Sequence, residues 1–305
     1  MNSPLRSQPR PAYLSGTWLD ASELRLAVDD YAVAMGVSVA ERLRTFNGEV
    51  FRASDHLERL HRSLDIVGWD AARLVAQVSN VIDEYAVRIG PLRDEGDDWS
   101  IAVFISPGQS AAAVEPTVCV YGFPLPFAGW ADQFEHGVPL AISTVRQTPT
   151  SCWPAELKCR SRMHYYLADR DATSRFPGAR PVLLDQEGYV TESSTANLVL
   201  YEEDRGLVTP RLSDVLPGVS QLNLFELAES LGVARCEEHV APERLANADE
   251  VFLTSTSVCM LPVASVDGRP IGSGTPGPQY ARFLRAWSEQ VGVDIAAQAQ
   301  RFANR

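Results

Sequence analysis

Residues 156–200 read ELKCRSRMHYYLADRDATSRFPGARPVLLDQEGYVTESSTANLVL. The stretch holds Lys158, the single lysine of the chain; the remainder of its 27 Lys and Arg residues are arginine. Arginine replaces lysine as a surface cation, a helix former or an ion-pair partner. It does not replace lysine as an amine nucleophile, because guanidinium keeps its proton at any working pH while a partly buried ammonium can lose one. Using lysine once and arginine everywhere else points to covalent amine chemistry of the Schiff-base kind. The competing reading is a compositional accident in an arginine-rich chain.

Thirty-four residues beyond Lys158 lies Glu192, after the apolar run Pro181-Val182-Leu183-Leu184-Asp185 and inside Gly188-Tyr189-Val190-Thr191-Glu192-Ser193-Ser194-Thr195-Ala196-Asn197-Leu198. The pattern around the two residues is lysine, helix (about Arg162 to Arg175), strand, glycine turn, and a strand carrying an acid.

Working outward, 305 residues suffice for a large core and for two domains. With 45% hydrophobic and 22% charged residues the composition is that of a globular protein. A net charge of −12 and a pI near 4.9 argue against nucleic acid or an anionic membrane as partner, since both demand a basic face. The N-terminus has no apolar signal core and no run reaches membrane-span length, so the expected location is cytoplasmic. Five cysteines, odd in number and without C-x-x-C spacing, read as buried thiols. His56 and His61 lie five apart, too far round a helix for the i,i+4 metal pair, and no metal site is expected.

The expected fold class is mixed α+β (α/β), in two domains. Residues 1–11 read as a flexible arm, 12–123 as a small N-terminal α/β domain, 124–136 as an interdomain linker stiffened by prolines, and 137–305 as a larger C-terminal domain. In the first domain a short hairpin turns at Gly16. Val37 to Phe46 alternates as a strand, with Val39, Glu41 and Leu43 on one face and Ala40, Arg42 and Arg44 on the other. Asn47-Gly48 is a two-residue hairpin turn, and Glu49 to Arg52 is its return strand. Ser54 is the expected cap of a helix with Leu57, Leu60, Leu64 and Val67 at helical spacing. A second helix spans about Ala71 to Ile89, followed by strands Trp99 to Ile105 and Thr117 to Phe123. In the second domain, Leu216-Pro217-Gly218-Val219-Ser220 starts a helix whose first turn leaves amides for an anion. Val251 to Ser257 is a buried strand running into hydroxyls, and Pro276 to Gln290 is a closing helix.

These elements, in this order and over nearly the whole chain from residue 12, resemble the class IV, fold-type IV pyridoxal-phosphate (PLP) enzymes. That group comprises branched-chain aminotransferases, D-amino acid aminotransferases and aminodeoxychorismate lyase. Four matches carry the resemblance. Asp55-His56-Leu57-Glu58-Arg59-Leu60 is similar to the H-x-x-R-L element. Lys158 and Glu192 fit the lysine and the E-x-x-x-x-N-L pattern. Leu216-Pro217-Gly218-Val219-Ser220 is similar to L-P-G-[IV]-[TS], and the segment ending in Thr256 to the strand-to-turn element.

The resemblance implies a larger domain built as a pseudo-barrel, PLP as cofactor and Lys158 as its Schiff-base partner and proton shuttle. Glu192 would face the pyridine nitrogen, with Arg59, Val219, Ser220 and Thr256 around the phosphate. It further implies amino-acid and 2-oxo-acid substrates, and a homodimer with the active site at a subunit and domain boundary. The branched-chain aminotransferase is the nearest label. Aminodeoxychorismate lyase, a D-amino acid or amine transaminase, and a PLP-binding protein without activity are the alternatives.

The chain also departs from the pattern. Met163 stands where branched-chain enzymes place a tyrosine five residues after the lysine; Tyr165 or Tyr166 are the substitutes at hand. Ser100-Ile101-Ala102 replaces the tyrosine and arginine offered to the substrate carboxylate, and the Arg-x-His element of the D-amino acid enzymes is missing from Gln109 to Val114. Arg42, Arg44, Arg160 and Arg162 are the replacement cations. Of these, Arg42 and Arg44, with Ser257 near the strand end, are the candidate substrate-binding residues; ordinary surface charge is the competing reading.

Overall fold

Asn47 and Gly48 both take positive φ, 52° and 86°, and so make the tight turn their dipeptide calls for, between the strands Val39–Phe46 and Glu49–Val50. The computed structural model describes residues 9–304. The chain divides into two units, the first running to Pro126 and including Leu157–Ser161 and Asn304, the second comprising Phe127–Glu156 and Arg162–Ala303.

In chain order the first unit contains β1 (Pro11–Leu14), β2 (Thr17–Asp20), α1 (Tyr31–Ala34), β3 (Val39–Phe46), β4 (Glu49–Val50), α2 (Ala53–Ile66), α3 (Ala71–Ile89), β5 (Trp99–Ser106) and β6 (Thr117–Pro124). Its sheet has the order β2-β1-β6-β5-β3-β4, and every pairing in it is antiparallel. One face carries Val39, Leu43, Ile101, Val103, Ile105, Val118 and Val120, packed against Leu60 and Leu64 of α2 and Leu74, Val78 and Ile82 of α3. On the other, Ala40, Phe104 and Cys119 cluster under Leu14, Leu24, Leu26 and Tyr121. The sheet is thus buried on both faces over much of β3, and even Arg44 is only 1% exposed.

Three local expectations change. The arm expected over residues 1–11 lies mostly outside the described residues, and Pro11 already opens β1. The return strand ends at Val50 rather than Arg52. Arg52, not Ser54, is the N-cap of α2; it holds a left-handed φ of 51° while its Nε donates to Asp55 in the first helical turn. An ion pair at the helix start therefore takes the place of the hydroxyl cap.

The second unit contains α4 (Ala131–His136), β7 (Val138–Ile142), α5 (Met163–Arg175), β8 (Arg180–Val182), β9 (Glu192–Ser193), β10 (Ala196–Glu202), β11 (Gly206–Pro210), α6 (Val219–Ser230), β12 (Arg235–Glu238), α7 (Pro242–Ala246), β13 (Glu250–Ser255), β14 (Cys259–Val266), β15 (Arg269–Pro270), α8 (Pro278–Val291) and α9 (Ile295–Arg301). Its sheet runs β12-β11-β10-β13-β14-β7-β8, with β9 on β10 and β15 on β14. The central strands β10, β13 and β14 are antiparallel, whereas β12, β7 and β8 join in parallel. Leu198, Leu200, Phe252, Leu253 and Leu261 are fully buried there, as is Phe283 of α8.

The stretch expected as a linker, 124–136, is structured throughout most of its length. Pro124 ends β6, Phe127–Gly129 forms a 3-10 turn and α4 follows. Its apolar residues decide this: Phe127, Ala131 and Phe134 are buried, and the Phe127 ring stacks on Phe302 at 6.2 Å. Burial of that size outweighs the turn preference of the prolines. A further helix, α9, follows the expected closing helix, capped by the Asp294 carboxylate on the amide of Ala297. Among the described residues no helix is long and apolar enough to cross a membrane.

Candidate active site

The chemistry-bearing residues fall into two groups, one in each unit. In the second unit Glu192 opens β9 at a tight connection to β10, where it is the register partner of Asn197. It is 5% exposed. Its Oε1 accepts the Tyr165 hydroxyl at 2.5 Å and Nε2 of Gln147 at 2.6 Å, and its Oε2 accepts the Leu216 amide at 3.2 Å. Burial, then the Glu192 charge, pushes the Tyr165 phenol well above its ordinary value, so it remains a donor.

Asn197 ties this carboxylate to the start of α6: its Nδ2 donates to the Leu216 carbonyl at 2.7 Å. A Cβ on Gly218 would collide with Asn197 Oδ1, so the close approach requires glycine. Gly218 is the N-cap of α6, and no side chain caps the helix. Val219 and Ser220, the first residues of the helix, are both buried. Thr256 and Ser257, half-buried, lie in the turn between β13 and β14. Close to Glu192 and Asn197 in the sheet register, the Ser193 and Thr254 hydroxyls are buried without a hydrogen-bond partner, as is Oε1 of Gln147.

In the first unit the segment bearing Lys158 lies along the start of β3. Cys159 bridges Val39, the Ala40 amide donates to the Lys158 carbonyl at 2.8 Å, and the Arg160 amide donates to the Ser38 carbonyl. The Lys158 amide donates to Ser63 Oγ of α2. Lys158 itself is half-buried.

Arg59 is 2% exposed, and its fork grips Glu41 with two bonds of 2.8 Å, from Nε to Oε1 and from Nη2 to Oε2. His56 Nδ1 also meets Glu41 Oε2, at 2.9 Å. A carboxylate only accepts, so this nitrogen carries the proton. Burial by itself would raise the Glu41 carboxyl, but the charge and double bond of Arg59 and the bond from His56 hold it far below the ordinary carboxylate range. His56 is lowered, chiefly by burial, and is neutral at pH 7.

The two candidate substrate arginines differ. Arg44 donates from Nε to the Thr45 carbonyl, lies over the Phe46 ring at 3.8 Å and faces Asp98 at 4.0 Å. Arg42 is half-buried, donates from Nη1 to Ser100 Oγ at 2.8 Å and lies over the Phe123 ring at 5.1 Å.

Within their own units, then, Glu192 is joined through Leu216 and Asn197 to the turn before Val219 and Ser220, and Lys158 is laid beside β3. Sequence reasoning missed Glu41, Gln147 and the role of Asn197, and left Tyr165 unplaced. Glu41 had a signal: it is the one charged residue on the β3 face that it shares with Val39, Leu43 and Thr45. For Gln147 and Tyr165, far from Glu192 in sequence, the spacing offered none. Among the described residues no cluster of His, Cys, Asp and Glu is placed to hold a metal.

Comparison with known proteins bears on this arrangement. The family model described as Amino-transferase class IV matches residues 38–266, three quarters of the chain. The chain belongs to the class IV aminotransferases. Its matched region contains Arg59, Lys158, Glu192, Val219, Ser220 and Thr256. This class IV aminotransferase is 27% identical to the D-alanine aminotransferase of Bacillus licheniformis, over 87% of its own length and 91% of the relative's. It is 28% identical to the branched-chain-amino-acid aminotransferase of Escherichia coli (strain K12), over 88% of each chain. Its fold matches a branched-chain amino acid aminotransferase from T.th. complexed with N-(5'-phosphopyridoxyl)-L-glutamate, with a TM-score of 0.80 and 24% identity, over 93% of this chain and 94% of that one.

Proposed function

We propose that this class IV aminotransferase binds PLP and moves an amino group between an amino acid and a 2-oxo acid, with Lys158 as the reacting amine. The observation that carries the reading is the buried Glu192 carboxylate, held by three donors, one of them the Leu216 amide two residues ahead of the uncapped N-cap of α6. Such a pair of features fits a ligand with a basic ring nitrogen at one end and a phosphate at the other. The orphaned Ser193 and Thr254 hydroxyls and the glycine-only approach at Gly218 support the fit. Bound PLP supplies an aldehyde that captures amines and a ring that withdraws electrons from the substrate Cα.

The chain's own residues have separate tasks. Lys158 Nζ would anchor the cofactor and, as a free amine, would serve as the base that takes the proton from the substrate Cα. Glu192 keeps a proton on the ring nitrogen, which deepens electron withdrawal. The amides of Val219 and Ser220, with the Ser220 and Thr256 hydroxyls, hold the phosphate at a positive helix end. Arg59 adds a cation to the phosphate, with Glu41 and His56 as the groups that fix its fork.

The branched-chain type is the nearest label, supported by the Escherichia coli relative. The D-alanine relative, at nearly the same identity, supports a D-amino acid transaminase as the second reading. The working unit in this reading is a homodimer in which a second subunit shields the cofactor from water.

The test is borohydride reduction of the PLP-loaded protein followed by peptide mass mapping. The expected result is cofactor tethered to Lys158, with Lys158→Ala folded but inactive. Cofactor on the N-terminal amine, or on no amine, would overturn the reading.

A further inference from the structure

Tyr165 and Gln147 both turn their polar groups toward Glu192. The Tyr165 hydroxyl donates to Oε1 at 2.5 Å, and Gln147 Nε2 donates to the same oxygen at 2.6 Å. Nε2 also reaches the Tyr165 hydroxyl at 3.4 Å, so the two side chains brace each other. They come from different segments: Gln147 lies in the connection between β7 and α5, and Tyr165 in the first turn of α5. From ahead of α6 the Leu216 amide donates to Oε2 at 3.2 Å.

The Gln147 amide shows that its orientation is imposed by the carboxylate. Its Oε1 is buried and has no hydrogen-bond partner. Turned over, the amide would aim that oxygen at a carboxylate, which only accepts. The nitrogen therefore stays on Glu192 and leaves an acceptor unmet, an exception of the kind proteins keep at functional sites. Tyr165 is equally committed. Burial, then the Glu192 charge, holds its phenol protonated and so a donor.

Both donors are neutral. A hydrogen bond to a carboxylate favours its charged form and makes it a weaker base, and a neutral donor leaves the negative charge in place. A carboxylate in that condition holds a protonated ring nitrogen by charge without taking its proton. With fewer donors, burial raises the carboxyl, and the coupled pair shifts toward a neutral acid beside a neutral ring.

We infer that Tyr165 and Gln147 are positioning residues that act through Glu192 to keep the proton on the ring nitrogen of the cofactor. Tyr165 then works at the nitrogen end of the ring and not at its phenolic oxygen. The inference rests on the PLP-dependent reading above and adds which residues set the protonation of the ring.

The test loads wild type, Tyr165→Phe and Gln147→Met with PLP carrying nitrogen-15 in the ring and reads the ring resonance by NMR. In the wild type it should lie in the pyridinium range, and in both variants it should move toward that of unprotonated pyridine. Fluorescence titration then compares PLP with 3-deoxypyridoxal phosphate, which lacks the phenolic oxygen. Tyr165→Phe should weaken both cofactors by the same factor, roughly tenfold. Near-UV circular dichroism verifies the fold, and Gln147→Met carries the test if Tyr165→Phe does not retain cofactor. A structural role alone would weaken binding and leave the resonance at its wild-type position; that result overturns the inference. So does a loss confined to PLP, which would place the Tyr165 hydroxyl on the phenolic oxygen, or a wild-type resonance in the unprotonated range. A wild type that binds no PLP would instead fail the proposed function.

Discussion

The Tyr165 hydroxyl donates to Glu192 Oε1 at 2.5 Å, from the third residue of α5 to the first residue of β9. With Gln147 and the Leu216 amide it encloses a carboxylate that is 5% exposed. A buried carboxylate needs such donors to remain charged. Tyr165→Phe removes one and should cost about 1.5–3 kcal/mol, the range for a hydrogen bond to a charged group. Denaturant unfolding of the variant measures this; unchanged stability would mean the hydroxyl contributes nothing there.

The turn before α6 leads to a second expectation. Gly218→Ala drives a methyl group into Asn197 Oδ1, and overpacking of this kind costs about 1–3 kcal/mol. The helix start should shift and PLP retention fall by about tenfold or more. Asn197→Ala makes room, so the double variant should recover part of the loss if the two residues are coupled. Fluorescence titration with PLP across the four proteins gives the coupling directly.

Stability should fall with acid in two stages. His56 sits below its ordinary value of 6.5 and Glu41 below its ordinary 4.5, so for both groups the unfolded chain binds more protons than the native one. The His56 contribution is complete above about pH 6.5 and is lost as pH drops below it. The Glu41 contribution is complete above about 4.5 and is lost below that. His164, also lowered by burial, adds to the first stage. Replacing His56 with glutamine should flatten that stage, and an unaltered slope of unfolding free energy against pH would exclude the linkage. Glu41→Gln removes the negative charge to which the buried Arg59 is bonded and should cost about 3–5 kcal/mol at neutral pH.

Assembly is open to a direct measurement. Multi-angle light scattering of the PLP-loaded protein should give twice the 33.5 kDa chain mass. A fully active monomer would remove the second subunit from the proposed site.

Much of the fold was legible before any coordinates. The Asn47-Gly48 turn and α3 over Ala71–Ile89 follow from local rules, because turn dipeptides and helical periodicity act over a few residues. Lys158 and Glu192 became the candidate site residues for a different reason: among the cationic side chains only lysine offers an amine nucleophile, and the motif around Glu192 is contiguous. What the tertiary structure decided is pairing across distance. Sequence spacing contains no trace of Gln147 and Tyr165 meeting Glu192, of Glu41 claiming the fork of Arg59, or of Arg44 being taken by Asp98 while Arg42 is held by Ser100. Each of these contacts joins residues far apart along the chain, some of them in loops such as Gln147 and Asp98, and forms only when the sheets bring those segments together. A guanidinium that looks like any other in sequence acquires its partner only when burial requires one. The 124–136 stretch shows the same rule in the backbone: Pro124 and Pro126 announce a break, and the burial of Phe127, Ala131 and Phe134 orders the residues after them as a 3-10 turn and α4.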